Sequence, residues 1–545
     1  MRYGRERIDQ QLGGYEMDFG VTEDQSNQWI RELAPSAARR TSTLPPQTIR
    51  RPQRWDEPFA PEPLPSDLIS FVLSQPVFHN VDPTAFPDDL PLAGVIANDT
   101  RPLNLRRGEP LYAQGEFDAS VYLLLAGSIV GTDATLFGIG EALVRCPRWN
   151  TLIAGSDDTI VLEIRWPGVR ELRQWSPAFR ALTDHLNNEQ VLYYGIRNCS
   201  QFSEVSDTTC RKLAAISRVE HLGSFDWTHG YHRTIRETGM GGVITSEPVI
   251  AEQGDYRDEI VILASGFARV SVAHGPGHRT LGFLESGDIA GLAELIAALA
   301  DPVNAAMLAE SFTYSIHASG RASVVRLPTY ALEEIILPSL DRPQQSRFFA
   351  AASVNRYMGA DGLPLIPPGS QFDVDFAVDH RLMNGTQAMA INLERCVNCD
   401  ECVRACADSH GGVPRFVRTG NTLANVMVTH ACMHCHDPVC MIGCPTQAID
   451  RQPDTGVVTI DETRCIGCTI CASTCPYGNI RMEQAQAPNG QPLVGEDGGP
   501  VLTAIKCDLC HGQKDGPACQ RACPYDALKR VDIGDGTGLT MAGRR

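Results

Sequence analysis

Two stretches of the chain alternate short apolar runs with glycine turns in the same order. One reads RRGEPLYAQGEFDASVYLLLAGSIVG (Arg106 to Gly131) and the other EPVIAEQGDYRDEIVILASGFARVSV (Glu247 to Val272). In each, a short apolar strand leads into a Gly-Glu or Gly-Asp turn, then a second strand, another glycine turn and a third strand. A repeated order of this kind marks an internal repeat, and each copy predicts a small β-barrel or roll with a helical stretch behind it. The helical stretches lie partly within TLIAGSDDTIVLEIRWPGVRELRQW and in LPTYALEEIILPSL. The pattern divides the chain into an extended or disordered arm (1–65), a first repeat (66–200), a second, degenerate repeat (201–341), a linker (342–389), a cysteine-rich domain (390–535) and a glycine-rich tail (536–545). The arm shows no apolar periodicity between Pro35 and Pro65, as expected of a segment draped over a partner. LPLIPPGSQ marks the middle of the linker.

The 545 residues suffice for several domains, and 43% hydrophobic with 21% charged residues is a globular balance. Lys and Arg number 47 against 65 Asp and Glu, a net charge of -18. That balance repels a phosphate backbone, so nucleic acid is not an expected partner. No apolar run reaches the ~18 residues that a membrane span needs, since Ile289 to Ala309 is broken by Glu294, Asp301 and Pro302. The first twenty residues lack the apolar core of a secretory signal, and Arg39-Arg40 is followed by TSTLPPQTIRRPQRW rather than an apolar stretch. A cytoplasmic location is expected.

Cysteine placement changes the picture most. Only Cys146, Cys199 and Cys210 of the 19 precede Cys396, and they are expected as buried or incidental thiols. The other sixteen form four groups: Cys396, Cys399, Cys402, Cys406; Cys432, Cys435, Cys440, Cys444; Cys465, Cys468, Cys471, Cys475; and Cys507, Cys510, Cys519, Cys523. The first and third are C-x2-C-x2-C-x3-C, and the last three end in Cys-Pro. Zinc ribbons need two Cys pairs separated by a longer loop, whereas a third cysteine at the same short spacing suits the corners of an iron–sulfur cubane. Sixteen thiolates at four per cube give four [4Fe-4S] clusters. Proline after the fourth cysteine is expected in the first turn of the next helix, where a missing amide costs nothing. His430, His434, His436 and His511 then fall outside the ligand set, as surface residues or hydrogen-bond donors to cluster sulfur.

INLERCVNCDECVRAC, CMHCHDPVCMIGCPTQAI, CIGCTICASTCPYGNI and KCDLCHGQKDGPACQRACPYDAL resemble, in order, the four motifs of the iron–sulfur subunits of the dimethyl sulfoxide reductase, formate dehydrogenase and respiratory hydrogenase families. The resemblance covers about 145 residues. It implies that the fourth cysteine of each motif serves another motif's cube, motif one exchanging with four and motif two with three. The repeats resemble the cyclic-nucleotide-binding fold of protein kinase A regulatory subunits and the catabolite activator protein. That likeness implies a phosphate cradle at Gly140, Glu141 and Arg148, in a segment about two residues shorter than the family pattern and with Trp149 where a small residue is usual. The second repeat lacks the Gly-Glu pair and the phosphate-gripping arginine. The bland alternative is an ordinary Glu141–Arg148 salt bridge in a docking scaffold.

The expected fold class is therefore multi-domain α+β: two cyclic-nucleotide-binding-like β-barrels with flanking helices, then a double bacterial-ferredoxin-like iron–sulfur domain. The expected function is relay of single electrons between a catalytic oxidoreductase subunit (a molybdenum enzyme, a hydrogenase or a flavin-dependent NAD(P) enzyme) and an acceptor. No nucleophile, Rossmann glycine pattern, nickel or molybdenum signature suggests substrate chemistry in the chain itself. The alternatives are a cyclic-nucleotide-linked redox sensor, for which no helix-turn-helix is evident, and a free ferredoxin, which would need none of the preceding residues.

Overall fold

The computed structural model describes residues 45–533 apart from 57, 63, 133, 145, 224–246, 275–276, 301–310, 354–375, 377–379 and 381. Most of the expected arm, the middle of the linker and the tail lie outside the described residues.

The two repeats carry the same strand order. In the first, one sheet runs Thr100–Leu105, Thr159–Ile164, Val121–Ala126, Leu136–Phe137, and the facing sheet Pro110–Tyr112, Leu152–Ala154, Ile129–Val130. In the second, the corresponding sheet is Arg218–Leu222, Ala322–Pro328, Glu259–Ser265, Ile289–Ala290, and its partner Val249–Ala251, Ser315–Ala318, Ala268–His274, Gly277–Leu284. Each repeat is thus a roll of two antiparallel sheets whose inner faces, such as Val121, Leu123, Leu162 and Ile164, are fully buried. The helix Pro177–Arg197 fuses the copies: Phe179 belongs to the core of the first, while Val191 and Ile196 belong to that of the second. At Gly195 a Cβ would meet Ala264 at 2.9 Å and Val325 at 3.1 Å, so the helix lies close against the second roll.

Two expectations of chain organisation need correction. The linker is not irregular throughout: Arg342–Ala352 is a helix, started by a capping box between Asp341 and Gln344 and held by Phe348 stacked on Phe202. The end of the arm is an integral part of the molecule, because Gln47–Ile49 pairs in parallel with Leu493–Gly495 of the cysteine-rich domain and Arg51 reaches Asp497 at 3.0 Å. Its partner is this same chain.

The cysteine-rich domain begins three residues before the expected boundary, with the strand Gln387–Asn392, which pairs with the last strand Leu528–Asp532. This register brings the start of motif one beside the end of motif four. Between them, the hairpin Ile449–Arg451 with Val458–Ile460 brings motif two back onto motif three, whose helices Val439–Ile442 and Ile470–Thr474 pack together at Gly443.

Candidate metal centres

Cysteines distant in sequence converge. Cys396, Cys399, Cys402 and Cys523 line one cavity of about 340 Å³. Cys444, Cys465, Cys468 and Cys471 line a second of about 340 Å³, and Cys432, Cys435, Cys440 and Cys475 a third of about 360 Å³. In the fourth set, Cys507 and Cys519 both lie within electrostatic reach of Cys406, and Cys519 also of Cys510. These are the sets that a crossing of motif one with four, and two with three, implies. Cys519 also feels Cys402 and Cys507 feels Cys432, so this fourth set neighbours both the set of Cys402 and the set of Cys432.

The backbone explains how short loops aim so many sulfurs inward. In all four motifs the second residue after the first cysteine is left-handed: Asn398 (φ 59°), His434 (φ 47°), Gly467 (φ 67°) and Leu509 (φ 55°). Alternating right- and left-handed residues turn successive amides toward one point, a concavity suited to anions and iron–sulfur groups. Leu509 is the one of the four whose residue type does not favour this conformation, so the sequence signalled it in three motifs of four.

The fourth cysteines do not begin helices, contrary to the expectation for Cys-Pro. Cys475 ends the helix Ile470–Thr474, Cys444 and Cys523 follow Val439–Ile442 and Ala518–Arg521, and Cys406 lies inside Glu401–Ser409. The proline breaks the helix, and the residue two beyond it is left-handed in each case: Gln447 (φ 52°), Gly478 (φ 63°) and Asp526 (φ 50°). This turn directs the next amide at the sulfur, Ala448 and Ala527 donating to Cys444 Sγ and Cys523 Sγ at 3.2 Å each. Further amides donate from Arg415 to Cys406 Sγ (3.2 Å), Ala504 to Cys465 Sγ (3.4 Å) and Ala518 to Cys510 Sγ (3.4 Å).

The donor set fits an iron–sulfur cluster. Burial pushes the thiols of Cys402 and Cys471 up to about 12, so the thiolate a metal needs is unfavourable there until a cation arrives. Oriented amides and the charge of the metal then favour the thiolate. Of the histidines, His430 and His511 are exposed as expected, but His434 is completely buried and its Nδ1 accepts from Val458 N–H at 3.1 Å. His436 lies edge-on to Phe267 of the second repeat at 5.1 Å.

The expected nucleotide cradle is assembled but internally satisfied. Gly138 (φ 77°) starts the short helix Ile139–Val144 that carries Gly140 and Glu141. Arg148, 1% exposed, donates to Asp118 at 2.6 Å, Ser120 O at 2.7 Å and Gly138 O at 3.2 Å, and lies over the rings of Tyr112 and Tyr122. Its partner is therefore Asp118 rather than Glu141, which stands 4.0 Å away. Trp149 fills the space above Gly140, where a Cβ would come within 2.5 Å of its ring. In the second repeat Glu294 follows the left-handed Gly291 (φ 87°) as Glu141 follows Gly138, a correspondence hidden in the sequence by Ala293 in place of glycine. The buried Cys199 and Cys210 belong to the core at the fused helix, and the half-buried Cys146 packs against it.

Four convergent thiol sets on a ferredoxin-like frame define an iron–sulfur protein of the electron-transfer class. A family model described as "4Fe-4S dicluster domain" matches residues 423–491. The Electron transport protein HydN of Escherichia coli is 34% identical over 170 residues, 28% of this chain and 91% of the relative. Hydrogenase-4 component A of E. coli is 30% identical over 161 residues, 25% of this chain and 78% of the relative. The chain belongs, through its C-terminal domain, to this family of 4Fe-4S electron-transport proteins, and no described helix is long and apolar enough to cross a membrane. Among solved structures, the regulatory domain of Toxoplasma gondii protein kinase A with cAMP aligns with 53% of this chain and 96% of its own length, at 14% identity and a TM-score of 0.21. That score is too low to bear weight, so the fold of the repeats rests on their shared strand order.

Proposed function

We propose that the chain is an electron-relay subunit carrying four [4Fe-4S] clusters, one in each thiol set, between a catalytic oxidoreductase subunit and an acceptor. The single observation that supports this is the convergence of all sixteen motif cysteines in four sets of four, none left over. When bound, each cubane supplies one-electron redox chemistry. The chain's residues supply the rest: thiolates at the corners, amides aimed at sulfur, and apolar walls that keep water out. Relatives named as components of hydrogenase-4 and formate hydrogenlyase suggest a partner of the hydrogenase or formate-oxidising kind.

The repeats serve as docking bodies pressed on the loop of motif two. Phe117 of the first repeat lies against Arg451, Phe267 of the second against His436, and Trp166 donates to Ile442 O at 3.3 Å. With Arg148 held by Asp118, the cradle offers a cyclic nucleotide no uncommitted cation. Anaerobically purified protein should contain about sixteen iron and sixteen sulfide per chain. Zinc in place of iron sinks the relay reading, and tight cyclic-nucleotide binding by calorimetry on the full chain sinks the docking reading.

A further inference from the structure

Two cations are buried beside motif two, neither in an ion pair with a carboxylate among the described residues. Lys506, 1% exposed, donates its ammonium protons to Val458 O and to Cys507 O at 3.1 Å. Arg451, 6% exposed, donates to Gly456 O at 2.9 Å, Cys435 O and His436 O at 3.2 Å. Carbonyl dipoles satisfy their hydrogens, yet neither makes an ion pair among the described residues. Asp437 is the carboxylate whose charge bears most on Arg451, from beyond ion-pair distance. Removing an uncompensated charge from water costs several kcal/mol. A fold that does so twice within one site implies a resident anion.

The other thiol sets differ. Beside Cys396, Cys399, Cys402 and Cys523 the cations are Arg418, bound to Asp400 at 2.6 Å, and Arg395, which reaches Asp526 at 3.5 Å. Beside Cys406, Cys507, Cys510 and Cys519 stand His410 and Arg415, both paired with Asp508. Cys468 and Cys471 feel chiefly other thiols, and the nearby Arg464 is only half-buried. At the remaining set, the charge of Lys506 acts on Cys440 and Cys475 and that of Arg451 on Cys435. Among the described residues, only here do two cations without an ion pair converge on one set.

We propose that Arg451 and Lys506 are the counter-ions of the cluster held by Cys432, Cys435, Cys440 and Cys475, and that they make it the electron sink of the four, the site of highest reduction potential. This rests on the four-cluster reading. Each reduction adds one negative charge to a cubane, so a fixed cation in a low-dielectric wall favours the reduced form. The first repeat takes part, because Phe117 covers the Arg451 guanidinium at 4.7 Å and keeps solvent from screening it. A docking body thereby also tunes the wire.

The test is an anaerobic redox titration followed by electron paramagnetic resonance on the full chain, with iron and sulfide measured on every sample. Cys475→Ser identifies the signal of this cluster by altering it. Arg451→Met and Lys506→Met should each move that cluster's potential down, and Arg451→Lys and Lys506→Arg should hold it near the wild-type value. Phe117→Ala, which leaves every thiol in place, should move it down by a smaller shift, while Arg418→Met should leave it unmoved. If the methionine variants load poorly, Phe117→Ala and the charge-conserving pair still decide the question. A full iron complement with unmoved potentials, or shifts confined to another cluster, overturns the assignment. Wild-type protein with far fewer than about sixteen iron overturns the reading beneath it.

Discussion

The cradle of the first repeat and the thiol set of motif two both bury positive charge, and they resolve it in opposite ways. Arg148 is answered from within by Asp118, two carbonyls and two tyrosine rings. Lys506 and Arg451 are answered by carbonyls, Arg451 also by the ring of Phe117, and neither forms an ion pair among the described residues, with sulfurs nearby. A buried charge with its own carboxylate is complete, and one without asks for a guest.

Metal removal should widen the contrast most. Cys402, Cys406, Cys507 and Cys519 are members of one core of the C-terminal domain, and Cys444 and Cys471 of another, so the clusters would be part of what holds it together. Stripping iron with a chelator under oxidising conditions should make residues 387–533 sensitive to limited proteolysis while the described strands and helices of the two rolls stay resistant. Equal sensitivity of both regions would break the distinction.

Opening the closed site comes next. Arg148→Ala leaves the Asp118 carboxylate without its partner and should destabilise the first repeat by on the order of 3–5 kcal/mol in denaturant unfolding. The double variant Asp118→Leu with Arg148→Met removes both charges and should cost much less. If the single and double variants are equally damaging, the pair is not what closes the cradle. A smaller effect is expected at Gly140→Ala, whose Cβ would strike Trp149 at 2.5 Å and Gln190 Oε1 at 2.6 Å; overpacking of this kind costs about 1–3 kcal/mol.

The two regions also differ in how much the chain's order disclosed. Cysteine spacing survives in one dimension because each loop must wrap a cube within a few residues, so all four groups were legible. The turn glycines likewise marked both rolls. Asp118 was not legible as the partner of Arg148, since 30 residues separate them and only the packed sheets bring them together. Lys506 and Arg451 read as ordinary hydrophilic residues, and their meaning comes from burial without an ion pair among the described residues. The helix Arg342–Ala352 was legible in principle from Asp341 and Gln344, a cap signature that the prolines nearby obscured.

A third way to manage a buried charge is to discharge it, and the second repeat does this at His317. The ring is 5% exposed, its Nδ1 finds no hydrogen-bond partner, and His278 lies edge-on at 5.8 Å. Burial, reinforced by the charges of Arg269 and His278, lowers its pKa from 6.5 to about 4. Arg269 is itself paired with Glu247, so no carboxylate is left to hold a proton on His317. The folded pKa lies below the unfolded one, and between pH 4 and 6.5 the unfolded chain binds the extra proton. The contribution of His317 to stability is therefore complete above about pH 6.5 and is lost as pH falls toward 4. His317→Gln, uncharged at every pH, should flatten that part of the stability profile of the second repeat and leave the first repeat, which contains no corresponding group, unchanged. An undiminished slope in the variant would move the proton uptake elsewhere, with His221, whose pKa burial also lowers, the next candidate in the second repeat.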